Sequence, residues 1–266
     1  MKRKLSTTII MYIVLFAFLI VWLIPIAIAI MKSLNINGFG NYLWVITNPD
    51  INYGRAVFNS AFISIVTAAI VVLLTSLAGY AFSKMKFVGS NLLYFMLLSC
   101  LAVPGAAVMM PEFFTMKTFG LTNTYTGLII PMVAFNALQM LLLWRNYMDG
   151  LPNEIIEAAR VDGCSTFRIY WGILMPLSLP MIATTGVLTF VYSWNDYLTP
   201  LLMLRDKNLY PITLVATSFM DGRNHTEEMM AEMYAALILM MIPSVIVYLI
   251  SQKWLQEGMM SGSVKS

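Results

Sequence analysis

Charge is what this sequence has least of. Only 11% of its 266 residues are Asp, Glu, Lys or Arg and 59% are hydrophobic, where a soluble domain carries about a quarter charged residues. The deficit excludes a chain whose whole surface meets water; much of it faces lipid. Histidine is nearly absent as well. The one residue, His225, stands beside Glu227 and Glu228 without the spaced His or Cys partners of a zinc site, and is read as solvated. The same scarcity leaves no imidazole for a buried triad, and no G-x-S-x-G elbow occurs. A G-x-x-x-x-G-K-[ST] phosphate loop is missing, so ATP is not expected on this chain by that route. The two cysteines, Cys100 and Cys164, fall in a hydrophobic run and a hydrophilic loop, so no disulfide is expected. A net charge of +3 makes no case for nucleic acid. The chain is not expected to be an enzyme, nor to hold a cofactor or metal.

What is present is length without charge. Residues 9–31, 56–83, 87–111, 118–144, 169–195 and 233–252 contain no Asp, Glu, Lys or Arg, and each reaches the about 20 residues that cross a bilayer as helix. Lipid offers the backbone no hydrogen bonds, and the runs lack the alternation of barrel strands, so helix is the expected state. The reading is all-α: a single polytopic membrane domain over 1–266, with about six transmembrane helices at 9–31, 58–82, 90–111, 124–144, 178–203 and 233–253. Lys2, Arg3 and Lys4 precede the first run as in a signal peptide. That run exceeds the usual core of about 7–15 residues and no small-x-small site ends it, so it is read as an uncleaved helix. Six spans put both termini on one side. With the termini inside, the inner face carries ten Lys and Arg and the outer face six, which places both termini in the cytoplasm by the positive-inside rule. The 22 methionines are read as soft packing between helices.

Several polar residues stand out. Asn59 and Ser60 mark the entry to the second span, and the third span ends near Pro111, with Glu112 opening a brief outer connection. Asn136 and Gln139 are three apart and share a helix face, where they either line a pathway or hold neighbouring helices together. Asp196, within Trp194-Asn195-Asp196-Tyr197, is the plausible acid at membrane depth. Asn195 and Asp196 are candidates to line a pathway, with Trp194 or Tyr197 offering a ring beside them. Residues 205–232 form a sizeable outer loop.

The longest hydrophilic inner segment, 145–168, is the most informative. Asn153 is a natural N-cap, Glu154 and Glu157 favour the positive end of a helix, and Gly163 is a natural left-handed C-cap. Ser165 then caps a second helix through Phe167–Leu174. Ile155, Ile156, Ala159 and Val161 give the first helix apolar contact area while its acids face outward.

Glu157-Ala158-Ala159, Asp162-Gly163, Ile169, Ile173 and Pro176 resemble the EAA loop of binding-protein-dependent ABC importer permeases. Gly79-Tyr80-Ala81-Phe82, the run from Gly120 to Ile129, Trp194 to Tyr197 with Pro200-Leu201, and the tail from Gly258 to Lys265 are similar to the shorter, six-helix subunit of maltose-type carbohydrate transporters. The resemblance implies a type I ABC importer permease fold. It implies a coupling helix over about 153–163, in which Glu154, Glu157, Ala158, Ala159, Arg160, Asp162 and Gly163 engage an ATPase. It also implies a heterodimer with a second permease, two cytoplasmic ATPase subunits that hold ATP and Mg, an extracytoplasmic solute-binding protein, and a sugar or oligosaccharide moved by alternating access. An ion-coupled secondary transporter is the alternative class, though it usually carries several intramembrane carboxylates and inverted repeats. Within the ABC class the alternative substrate is one such as glycerol phosphate.

Overall fold

The computed structural model describes residues 5–219 and 226–261. Expectations placed on Lys2, Arg3, Lys4, Arg223, His225 and Lys265 lie outside them. The described residues are helical, with no strand among them. In chain order the helices are α1 (Leu5–Ser33), α2 (Gly40–Thr47), α3 (Tyr53–Lys84), α4 (Ser90–Ser99), α5 (Gly105–Thr118), α6 (Tyr125–Gly150), α7 (Asn153–Val161), α8 (Thr166–Ile169), α9 (Met175–Leu177), α10 (Leu179–Asn195), α11 (Leu198–Met203), α12 (Ile212–Val215) and α13 (Glu227–Ser261). Four helices are individually long and apolar enough to cross a membrane, or up to six if each of two bent pairs is one span.

Those bends are where the structure departs from the expected spans. The third, expected over 90–111, is Ser90–Ala102 followed by Gly105–Thr118 at an angle of 103°. Pro104 explains the break: it has no N–H to continue a helix, and it holds the preceding Val103 extended, at ψ 122°. Helix α5 then runs through Pro111, so Glu112 lies inside a helix and not in an outer connection. The fifth span, expected over 178–203, is Thr166–Leu177 and Leu179–Asn195 bent by 78°, and 198–203 is the separate helix α11. Pro176 and Pro180 flank that second bend and remove two backbone donors from it. The helix expected over Phe167–Leu174 passes into a π-helical turn at Tyr170–Leu174, a form that accommodates one extra residue per turn.

The chain divides into two compact units, 1–54 with 215–242, and 55–214 with 243–266. In the first, the apolar side chains of α1 from Met11 to Ile28 are exposed, and none of the helix's most apolar window is buried. Asn41 of α2 donates to the carbonyls of Ser33 and Asn35, both at 2.9 Å, and so fixes the turn after α1.

The second unit buries more side chains than the first. Helices α3, α6 and α10 bury Ile63, Val71, Leu128, Met132, Trp144, Met148 and Met181. At one crossing, α3 and α6 meet without an intervening side chain: a Cβ on Gly79 would lie 2.8 Å from Trp144 Cβ and 3.2 Å from the Arg145 nitrogen. Arg145 in turn lies over the Tyr94 ring at 3.7 Å, tying α4 to α6. Asn59, buried in α3, donates to the carbonyls of Asn208 and Tyr210, both at 3.0 Å, and accepts from the Tyr125 hydroxyl at 2.7 Å. Ser60 Oγ accepts from the Ile212 nitrogen at 2.8 Å. The two polar residues at the start of the second span thus hold the segment before α12.

Candidate functional site

Two features of the second unit carry chemistry. The first is the segment around α7. Its N-cap is Pro152, and Asn153 is the first helical residue, so the helix starts one position earlier than the sequence suggested. The Asn153 side chain serves another purpose: its Oδ1 accepts from Lys84 Nζ at 2.8 Å, and the same ammonium donates to the Leu151 carbonyl at 2.7 Å. The end of α3 is thereby pinned to the start of α7. Ser83 Oγ adds a second tie, donating to Asp149 at 2.6 Å on the last turn of α6.

Helix α7 closes as a Schellman motif. Gly163 stands at φ +77°, its nitrogen donating to the Arg160 carbonyl at 3.0 Å while the Cys164 nitrogen reaches the Ala159 carbonyl at 2.9 Å. Ser165 then accepts from the Arg168 nitrogen at 3.3 Å and starts α8. Ile156 and Ala159, three apart, are buried in a cluster with Tyr80, Ile169, Tyr170 and Leu174, against which Cys164 and Ile173 also pack. Tyr80 and Tyr170 rings lie 5.8 Å apart, and the Tyr170 and Ser76 hydroxyls are 2.7 Å apart. The opposite face of α7 is uncovered: Glu154, Glu157, Ala158, Arg160 and Asp162 are exposed. Val161 is not part of the packed face, being 87% exposed, and Phe167 beyond the bend is 70% exposed. A short stiff helix therefore projects a mixed acidic, basic and apolar face while its other face is anchored to α3 and α8.

The second feature is a cavity of about 620 Å³ lined by α5, α6, α10 and α11, with Glu112, Asn136, Tyr192, Ser193, Asp196 and Thr199 as its polar side chains. The bend at Pro104 turns α5 so that Glu112 faces this space. Asn136 is 4% exposed and Ser193 6%. Asn136 Nδ2 donates to the Met132 carbonyl of its own helix at 2.8 Å, while Asn136 Oδ1 and Ser193 Oγ have no hydrogen-bond partner in the protein. Asp196 Oδ1 accepts from the Thr199 nitrogen at 3.1 Å, which starts α11. The Thr213 hydroxyl donates to the Asp196 carbonyl at 2.9 Å, fixing the residue in place. Glu112 and Asp196 are close enough to feel each other's charge. The ion pair found among the described residues, Arg145 with Asp149, reaches neither.

The structure therefore brings Asn136 and Asp196 together and leaves the other pathway candidates outside the lining. Gln139 is half-buried elsewhere on α6. Trp194 is buried against Phe190, rings 5.6 Å apart. Asn195 is exposed and donates to the Val191 carbonyl at 2.8 Å, and Tyr197 is 37% exposed. Glu112, Tyr192 and Ser193 were not singled out from the sequence. The signal for Glu112 was available: Phe113, Phe114 and Met116 continue the apolar pattern past Pro111, and a charge within such a continuation marks a functional acid.

Broken helices around a largely apolar cavity that holds a few buried polar groups, with an amphipathic helix held at one end, are the architecture of a transport permease. The family of binding-protein-dependent transport system inner membrane components matches this chain over residues 72–261, and the chain belongs to that family. Arabinooligosaccharides transport system permease protein AraQ of Halalkalibacterium halodurans is 32% identical over 85% of this chain and 78% of its own. Polygalacturonan/rhamnogalacturonan transport system permease protein YtcP of Bacillus subtilis is 31% identical over 83% of this chain and 79% of its own. A chain from a bacterial ABC transporter involved in the import of the acidic polysaccharide alginate superposes with a TM-score of 0.78 at 24% identity, covering 95% of this chain and 98% of that one. The fold is the type I ABC importer permease fold.

Proposed function

We propose that this chain is one permease subunit of an ATP-driven importer that moves a sugar or oligosaccharide across the cell membrane by alternating access. The observation that carries the reading is α7: a helix closed by Gly163, anchored through Ile156 and Ala159, and pinned to α3 by Lys84. Such an element transmits motion only when seated in another protein. The exposed face supplies the contacts, with Glu157 pairing a basic group and Val161 and Phe167 offering apolar area to a cytoplasmic ATPase. Ala158 leaves room for close approach. Two ATPase subunits, which hold ATP and Mg, a second permease and an extracytoplasmic binding protein complete the assembly, and both termini lie in the cytoplasm. The saccharide assignment is supported by the two curated relatives named for oligo- and polysaccharide transport. Asn136 and Asp196 line the pathway.

The test is Glu157→Lys and, separately, Gly163→Pro in the assembled complex. A surface ion pair is worth only about 0–1 kcal/mol, whereas breaking a partly buried one costs more. Both variants are expected to reach the membrane but to lose sugar-stimulated ATP hydrolysis and co-purification of the ATPase. Full coupled activity in both, with the ATPase still bound, removes α7 from the coupling role.

A further inference from the structure

We infer that the cavity between α5, α6, α10 and α11 accepts a saccharide unit that is neutral or carries a protonated amine, and rejects uronate and phosphate groups. This rests on the saccharide reading above and narrows it.

The charge of the lining is one-sided. Ionised carboxylates accept hydrogen bonds and donate none, and Glu112 and Asp196 bring two of them. Asn136 adds a free carbonyl oxygen, its Nδ2 giving one hydrogen to the Met132 carbonyl and keeping the other. The hydroxyls of Tyr192, Ser193 and Thr199 can donate or accept. No Lys or Arg lines the cavity. The space therefore favours a ligand that donates and carries no negative charge. Sugar hydroxyls donate, and an ammonium donates three times while neutralising a carboxylate. A second carboxylate or a phosphate brings acceptors and negative charge to a place already holding two acids, with nothing to offset them.

The orphaned atoms point to a ligand independently of the acids. A buried polar atom without a partner costs about 1–3 kcal/mol, and native proteins keep few. Asn136 Oδ1 and Ser193 Oγ, both more than nine-tenths buried, are two such atoms in one cavity. A hydroxylated ligand satisfies both. Tyr192, half exposed at the rim, offers a ring to the apolar face of a pyranose. The volume of about 620 Å³ falls within the about 300–1,000 Å³ of small-molecule sites. Sequence similarity does not decide the point. Relatives named for arabinooligosaccharides and for polygalacturonan/rhamnogalacturonan are 32% and 31% identical.

The experiment uses the intact complex in nanodiscs without its binding protein, so that selection by that protein does not intervene. Binding of glucosamine disaccharide, cellobiose and digalacturonate is measured by calorimetry, at a pH that keeps the amine protonated. The expected order is glucosamine disaccharide, then cellobiose, with digalacturonate at least about tenfold weaker than cellobiose. Glu112→Gln with Asp196→Asn, which preserve shape, should bring the three to within about threefold. Glu112→Lys should lift digalacturonate above cellobiose. Digalacturonate binding as tightly as cellobiose in the parent complex overturns the inference and leaves the saccharide reading standing. So does an amine preference that survives the double variant. A complex that remains assembled and binds none of the three overturns the saccharide reading and the inference with it.

Discussion

Around α7, polar side chains are matched to partners. Lys84 bonds to Leu151 and Asn153, Ser83 to Asp149, Ser165 to the α8 backbone and Ser76 to Tyr170, with the buried Tyr80 hydroxyl as an exception. Around the cavity, Asn136 Oδ1 and Ser193 Oγ lack partners and two carboxylates lack counterions. Matched polar groups fix a geometry, because each alternative arrangement leaves something buried and unpaired. Unmatched ones leave the structure incomplete until something else arrives. One region is built to hold its shape, the other to be filled.

The comparison can be broken most severely at Gly79. Gly79→Ala forces a Cβ to within 2.8 Å of Trp144 Cβ and close to the α6 backbone, where no rotamer change relieves it. A loss of about 3 kcal/mol is expected, read as a lower unfolding midpoint of the complex in detergent. An unchanged midpoint would mean that α3 and α6 separate easily. Lys84→Met should come next. It removes the charged donor from the Leu151 carbonyl and Asn153, a loss of about 1.5–3 kcal/mol. Stimulated ATP hydrolysis should fall while saccharide binding is retained; loss of binding with intact coupling would reverse the roles of the two regions. The smallest and sharpest test is the same substitution made in both. Ser165→Ala removes a helix cap and should cost about 1 kcal/mol. Ser193→Ala removes an orphaned hydroxyl and should leave the unfolding midpoint unchanged or raised. A destabilising Ser193→Ala would show that its hydroxyl has a partner within the protein.

The helical class and the α7 motif were legible because they are local. Hydropathic length specifies a span, and Gly163 followed by Ser165 marks a stop and a start within three residues. The bends were less legible. Pro104, Pro176 and Pro180 are plain in the sequence, but a run of uncharged residues reads the same whether straight or folded back by 103°. The cavity was legible only in part, because it is assembled from four helices distant in sequence. Asn136 and Asp196 stood out as polar groups in apolar surroundings. Glu112 did not, because spans were delimited by their first charged residue, and that criterion discards any acid that lies within a helix. Trp194, Asn195 and Tyr197 were grouped with Asp196 by adjacency, and the end of α10 at Asn195 points neighbouring residues in different directions.

Gly79 has a mechanical consequence. Where two helices meet through long side chains, those side chains can change rotamer and let one cylinder roll over the other. Where backbone rests on backbone, as α3 does on α6 at this glycine, there is no cushion to deform. The pair behaves as a twin-beam strut. A load applied at α7 through Lys84 is shared along both beams and delivered near Asn59 and Tyr125, at the far end of the same strut.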